Sequence, residues 1–332
     1  VEQPSLLVYG DASVDISLRV NSLPAAGLDT AARDQVVTAG GSAANCAATA
    51  ARLGARVDLV ARVGDDLFSQ IVMDDLAAHQ VGTSAIQIIR GPPALVISLV
   101  HPDGQRTFVS CRGPASGRIP ADAYLSLLDK AAVVHLSGYS FQDPGSRSTA
   151  LHLMDEARRM GIGVSLDPSP LFAEGFDPST GWLDRIDYLF PNLYEATALT
   201  GASSPEDAAG ALHSLGIGIV VVTMGDRGCM VKSQHGLLHI PAVREFPVVD
   251  TAGAGDGFAA GFLTATLSGG SAHQAARVAN LVAARTIAHR GAHTGAPSVA
   301  ELLQVTDRLG DAGLREAAQA LGTFSERTAG GG

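Results

Sequence analysis

Six short apolar runs, at residues 6–9, 57–63, 132–136, 163–166, 188–190 and 219–223, are separated mostly by segments of helical periodicity, such as 42–53, 66–79, 147–160 and 205–215. This alternation constrains the fold more than any other feature. Short, mostly apolar runs suit strands buried on both faces. Alternation of strand and helix calls for crossover connections, and so for an α/β fold with a mostly parallel sheet covered by helices on both sides. A further short strand pair follows residue 223, then helices at about 256–267, 272–289, 299–308 and 314–321. With 332 residues and 46% hydrophobic content, the chain can bury a large core, as one big domain or two smaller ones.

Two stretches break the rhythm. Segments 15–20 and 30–37, and segments 86–90, 94–101 and 106–111, read as short alternating strands, with a turn at Pro102, Asp103 and Gly104. They suggest an antiparallel flap, inserted at about 14–38 and 84–112 into one domain spanning 1–324. A flap that closes over a site excludes water. The same pattern equally fits an edge extension or a contact to a second subunit. The remainder, 325–332, ends in AGGG and reads as a flexible tail.

The net charge of −10 disfavours nucleic acid and anionic membranes as partners, leaving a small molecule as the ligand class. Lys130 and Lys232 are the two lysines and neither follows a glycine, so no GxxxxGK[ST] phosphate loop exists. Cys46, Cys111 and Cys229 are odd in number and far apart, a pattern for a reducing, cytoplasmic setting rather than for disulfides or zinc. The opening residues lack the basic and apolar regions of a signal peptide, and no stretch has the length of a membrane span. The pairs His235/His239 and His289/His293 are interrupted by glycine and read as surface or satisfied core residues.

The run DTAGAGDGFAAG, Asp250 to Gly261, places Gly253, Ala254 and Gly255 directly before Asp256 and an apolar helical stretch. Small residues let a ligand approach the backbone, and free N–H groups at a helix start attract an anion such as phosphate. A carboxylate in that turn would repel the phosphate its neighbours attract. It suits a base for an acceptor hydroxyl. Taken alone, the same residues also fit an ordinary N-cap. A second glycine-rich run, GGSAANCAATAARLG, spans Gly40 to Gly54. Its glycine pair and Asn45 suit a polyhydroxylated ligand, although a tight turn with a cap-like Asn fits equally.

Together the two runs resemble the signatures of the PfkB family of carbohydrate and nucleoside kinases, to which ribokinase belongs. Gly40, Gly41, Asn45, Ala47, Gly54 and Gly64 satisfy the first; Asp250, Thr251, Gly253, Ala254, Gly255, Asp256, Ala260 and Gly261 match the second without a gap. The resemblance implies a ribokinase-like three-layer α/β/α sandwich with a small β lid. It implies transfer of the ATP γ-phosphoryl group to a hydroxymethyl oxygen. Carried over, Asp256 is the base, and the backbone of Gly253, Ala254, Gly255 and Asp256 is the anion hole. Asn192 and Glu195 resemble the family's Asn-x-x-Glu element, with Glu195 reaching Mg²⁺ through water. Thr223, Gly225 and Gly228 resemble the nucleotide loop, and Asn280 lies on the helix beside the adenine. Asp15, with Ser13, Gly41, Ser42 and Asn45, falls where the family binds sugar hydroxyls. A K⁺ ion held by backbone carbonyls near Asp250, Ala252 and Gly291 is implied on the same ground, while a homodimer through the lid is an expectation from the lid pattern itself.

The chain departs from ribokinases at Ser13, where Asn is usual, and at Ser42 and Ala43, where Lys-Gly is usual. Members acting on phosphorylated sugars need cations in the lid, where this chain has Arg106 and Arg112 but no lysine. An unphosphorylated sugar is the expected acceptor and a nucleoside the alternative. No GxGxxG follows the first strand, against a dinucleotide oxidoreductase. A non-catalytic sugar sensor would have no need of Asp256.

Overall fold

The computed structural model describes residues 5–102, 106–113, 116–175 and 181–329; the expected turn at Asp103 and Gly104 and tail residues 330–332 lie outside them. The strands are β1 (Ser5–Tyr9), β2 (Ser13–Val20), β3 (Ala32–Gly40), β4 (Arg56–Val63), β5 (Ile86–Ile88), β6 (Ala94–Val100), β7 (Arg106–Cys111), β8 (Ala131–Ser137), β9 (Gly163–Asp167), β10 (Tyr188–Leu189), β11 (Ile219–Thr223), β12 (Cys229–Ser233) and β13 (Gly236–Ile240). The helices are α1 (Ser42–Arg52), α2 (Leu67–Ala78), α3 (Leu125–Leu128), α4 (Pro144–Met160), α5 (Pro170–Glu174), α6 (Leu193–Thr200), α7 (Pro205–Ser214), α8 (Ala254–Leu267), α9 (Ala272–Thr286), α10 (Val299–Leu309) and α11 (Ala312–Ala329).

The large sheet has the order β13-β12-β11-β10-β9-β8-β1-β4-β5. Every pairing from β11 to β5 is parallel, and β12 and β13 close the other edge as an antiparallel hairpin. Successive side chains of a strand leave opposite faces, so the apolar runs feed two cores at once. Leu6 and Val8 of β1 enter the core under α1, α2 and α8–α11, whereas Leu7 and Tyr9 enter the core under α3, α4, α6 and α7. Each such Leu, fully buried, contributes about 1.5–3 kcal/mol relative to exposure. Helix starts follow local chemistry: Asp143 accepts from the N–H groups of Gly145 and Ser146 ahead of Pro144, which starts α4 a few residues before its apolar periodicity begins.

Three expectations are corrected. The segment at 86–90 is not part of the flap: β5 pairs in parallel with Ala61–Val63 of β4, because α2 makes β4-α2-β5 a crossover unit of the main sheet. The lid is a separate four-stranded sheet, β3-β2-β6-β7, and its central pair β2-β6 is parallel, not antiparallel. Finally, α11 continues past Ser325 to Ala329, since Glu326, Arg327 and Ala329 are all favourable helix residues.

Candidate active site

The order of the large sheet reverses at β1, which has β8 on one side and β4 on the other. In such sheets ligands sit beyond the carboxyl ends of the strands at this point. Polar residues gather there: Asp11 follows β1, Ser137 and Asp167 end β8 and β9, Asn192 follows β10 and Thr223 ends β11. Asp11 accepts from the Ser137 hydroxyl at 2.9 Å and from the Ser42 N–H at 3.1 Å, so it ties the start of α1 to the sheet. Gly41 before α1 has φ +94°, and a Cβ there would lie 2.6 Å from the Asp11 carbonyl oxygen.

The two glycine-rich runs meet at Asp256. Ser42 Oγ donates to one carboxylate oxygen at 2.8 Å and Asn45 Nδ2 to the other at 2.8 Å. In this arrangement Ser42 and Asn45 hold the Asp256 carboxylate directly. Burial pushes Asp256 up to about 6, with the Asn45 and Ser42 hydrogen bonds pulling down and the charges of Asp11 and Asp15 pushing up. Gly253 caps α8 with φ +70°. The first intrahelical bond, from Gly257 N–H to the Gly253 carbonyl at 2.8 Å, leaves the N–H groups of Gly255 and Asp256 without an acceptor in the helix. Ala254 N–H differs from the expected anion hole, as it points to the Thr251 carbonyl at 3.5 Å.

The lid covers this side of the core. Asp15 of β2 accepts from Ser13 Oγ at 2.9 Å and stands in a cleft between lid and core whose wall includes Thr38, Arg106, Asp250 and Gly291. Burial raises Asp15 to about 6, against the lowering effect of the Ser13 bond. Asp250, the expected K⁺ ligand, instead accepts from the lid residue Arg106, from Ala252 N–H at 2.8 Å and from Gly291 N–H at 3.2 Å. A guanidinium and two N–H groups are turned toward this carboxylate, so a monovalent cation here would be held by the backbone carbonyls near Asp250, Ala252 and Gly291 rather than by this side chain. The salt bridge of Arg106 with Asp250 also fastens the lid to the turn that carries Asp256.

On the opposite side, Asn192 and Glu195 form a reciprocal cap at the start of α6, each bond 2.9 Å long. The Asn192 N–H takes one Glu195 oxygen. Burial raises Glu195 to about 7, the Asn192 hydrogen bonds lower it and Asp256 raises it. Asp167 is held well above the usual carboxylate range by burial, then by the charges of Glu195, Asp256 and Asp11. A set of hard, mutually repelling carboxylate oxygens fits Mg²⁺, which keeps its waters and needs few protein ligands. Glu195 and Asp167 are the residues that would hold it. Thr223 bridges to Asn192, and Gly225 and Gly228 take positive φ of 61° and 87° in the turn that follows. Asn280 is buried, and its amide nitrogen donates to the carbonyls of Pro241 at 3.1 Å and Ile240 at 3.4 Å. It therefore braces the wall after β13.

A model of the "pfkB family carbohydrate kinase" matches residues 3–299 of the chain. The chain belongs to the pfkB family of carbohydrate kinases. It is a phosphotransferase with an alcohol acceptor. It is similar to the ribokinase of Bacillus subtilis, 30% identical over 304 residues covering 90% of this chain and 99% of the relative. It is also similar to the 2-dehydro-3-deoxygluconokinase of Escherichia coli, 32% identical over 253 residues covering 71% of this chain and 82% of the relative. Its fold matches the structure of Arabidopsis thaliana ribokinase complexed with ribose and ATP, with a TM-score of 0.79 and 26% identity over 96% of this chain and 98% of that one. The ribokinase-like fold is thereby established, and no helix among the described residues is long and apolar enough to cross a membrane.

In this kinase, sequence reasoning missed Asp11, Asp167 and His293. The first two had a readable signal, an acid placed at the carboxyl end of an apolar strand run. His293 is a satisfied core residue, as expected, but one bonded to Asn45 and Asp75. Also unforeseen is a cavity of about 220 Å³ beside Asp11, lined by Arg62, Arg112 and Tyr139, where the Arg112 guanidinium lies 4.3 Å from the centre of the Tyr139 ring.

Proposed function

We propose that this kinase transfers the γ-phosphoryl group of ATP to a hydroxymethyl oxygen of an unphosphorylated sugar, with Asp256 as the base. The observation that carries this is the placing of a half-buried carboxylate, held by Ser42 and Asn45, beside two unspent N–H groups at the start of α8. Bound ATP with Mg²⁺ supplies the phosphoryl group and neutralises its charge. The protein orients the acceptor hydroxyl against Asp256, which collects the proton late, because even a carboxyl near pH 6 cannot deprotonate an alcohol in advance. The N–H groups of Gly255 and Asp256 stabilise charge on the transferred group, and the lid excludes water. A screen of sugars and nucleosides for acceptor-dependent ADP formation tests the reading; no ADP with any acceptor would leave a sensor, and a nucleoside as best acceptor would move the chain to the other branch.

A second reading has its own observation. Arg62 and Arg112 beside the site would suit an acceptor that carries a carboxylate or phosphate. Including acidic sugars and sugar phosphates in the same screen decides between the two. The exposed Phe108 and Val109 of β7 make the lid our proposed face for a second copy of the chain, which light scattering of the pure protein would read out.

Two expected outcomes belong to this reading. Asp15→Ala removes a charge-assisted hydrogen bond to a sugar hydroxyl, so kcat/KM for the sugar should fall about tenfold or more while ATP binding hardly changes. Unaltered sugar kinetics would remove Asp15 from the acceptor site. Activity should also need Mg²⁺ or a similar hard divalent ion, because Glu195 and Asp167 otherwise face the ATP phosphates as bare negative charge. Full turnover in excess chelator would contradict this.

A further inference from the structure

We propose that His293 is a positioning residue for the base: together with Asp75 it fixes which way round the Asn45 amide stands, and so supplies the donor that holds Asp256. This rests on the kinase reading above. Four side chains form one hydrogen-bonded chain. Asp75 Oδ2 lies 2.9 Å from His293 Nε2, His293 Nδ1 lies 2.9 Å from Asn45 Oδ1, and Asn45 Nδ2 lies 2.8 Å from Asp256 Oδ2.

The direction of the chain follows from what each group can donate. An ionised Asp256 only accepts, so Asn45 must turn its nitrogen toward it and its oxygen away. That oxygen then needs a donor, which His293 Nδ1 provides. His293 Nε2 faces the Asp75 carboxylate, another acceptor. Both ring nitrogens therefore face acceptors, the Asn45 oxygen and the Asp75 carboxylate, and Nδ1 carries the proton that the amide oxygen needs. Rotating the Asn45 amide by half a turn would set its oxygen against the Asp256 carboxylate and its NH₂ against the ring N–H. Both contacts are repulsive, so His293 selects one orientation of two that are nearly alike in shape.

The surroundings agree. His293 is 4% exposed and lies edge-on to His79, with ring centres 5.3 Å apart. The groups facing it are Asp75 and His79 from α2, Asn45 from α1 and Asp15 from β2. Burial acts to raise Asp75, but the hydrogen bond from His293 and the charges of His293 and His79 outweigh it and hold the carboxyl below its ordinary range. His293 also follows Ala292, whose carbonyl packs against Gly253. One loop thus sets both the turn of the anion hole and the partner of the base.

The test is the pH profile of kcat/KM for ADP formation in the wild-type chain, His293→Leu and His293→Asn. The Asn45 hydrogen bond lowers Asp256 from where burial alone would put it. Losing it raises Asp256, and because the base works ionised, the acidic limb moves to higher pH. His293→Leu should lower kcat about tenfold and move the limb up by about half a unit or more, with KM for ATP within about twofold. His293→Asn, whose Nδ2 falls where the ring Nδ1 stands and can still donate to Asn45, should recover most of kcat. A residue that only supported folding would change the melting temperature and leave the limb in place. Folded His293→Leu with wild-type kcat and an unmoved limb, or His293→Asn as impaired as His293→Leu, overturns the proposal. Should His293→Leu fail to fold, Asp75→Asn is measured in the same way; a limb shifted upward supports the proposal and an unmoved one overturns it. Asp256→Asn run alongside separates the two levels: if that variant stays active, the kinase reading and this proposal fall together, whereas the outcomes above overturn this proposal alone.

Discussion

Replacing Asp256 with Asn should lower kcat about 10²–10⁴-fold while ATP binding stays within a few-fold of wild type. The exchange keeps the size of the side chain and the shape of the turn around Gly253. Ser42 Oγ can still donate to the new amide oxygen, and the N–H groups of Gly255 and Asp256 remain directed at the phosphate. What is lost is the proton acceptor. ADP formation with the best acceptor measures the first quantity and calorimetric titration with ATP the second. Turnover within about tenfold of wild type would strip Asp256 of its role and leave it as an acid in the first turn of α8, where a negative charge is favourable in any helix. The pH profile gives an independent check. Asp256 is raised to about 6 and must be ionised to act, so kcat/KM should be level above pH 6 and fall as pH drops through it. Asp15 is also raised to about 6, so the Asp15→Ala variant should keep the limb that belongs to Asp256.

The fold was legible because its strands are buried on both faces. A largely apolar run such as 219–223 leaves little freedom in a chain that alternates with helices. The short strand at 86–88 was assigned to the wrong sheet for a reason equally physical. Three residues reading Ile-Gln-Ile fit any edge, and only the reach of α2 across the main sheet decides which edge they join. The parallel pairing of β2 with β6 is likewise a long-range choice, since β6 reaches β2 only after the chain has built β4, α2 and β5.

The site divides in the same way. Asp256 and Gly253 could be read because a close-approach turn needs particular residues in consecutive positions. Asp11, 31 residues before Ser42 and 126 before Ser137, offered only its place after an apolar strand run, which does not say what it bonds. Its role exists only once the carboxyl ends of β1 and β8 lie side by side. His293 was hidden for a related reason: its partners sit on α1 and α2, 248 and 218 residues away. The salt bridge of Arg106 with Asp250 could not have been foreseen either, because it joins lid and core across 144 residues. From the sequence Arg106 was one of two lid cations with no named partner, whereas the structure pairs it with Asp250.

Gly253→Ala should cost nearly as much activity as loss of the base, through the backbone alone. Gly253 has φ +70°, and a Cβ there would stand 1.8 Å from the carbonyl oxygen of Ala292 and 2.5 Å from its carbonyl carbon. These are backbone atoms, so no side-chain rotation relieves the clash. Either the start of α8 or the 291–294 loop must shift. If α8 shifts, the N–H groups of Gly255 and Asp256 no longer converge on the phosphoryl group; loss of such donors typically costs about 10²–10³ in kcat. If the loop shifts, Gly291 N–H leaves Asp250 and His293 leaves Asn45. Either route reaches the base. Gly269→Ala is the control, because Gly269 has a comparable φ of +92° with nothing within 4 Å of its added Cβ. That variant should lose about 1 kcal/mol of stability to the left-handed backbone and keep its kcat. Thermal melts of both variants, with kcat measured on the folded fraction, separate strain from function. A folded Gly253→Ala protein with kcat within about tenfold of wild type would show that the N–H groups at the start of α8 do not carry the transferred phosphate.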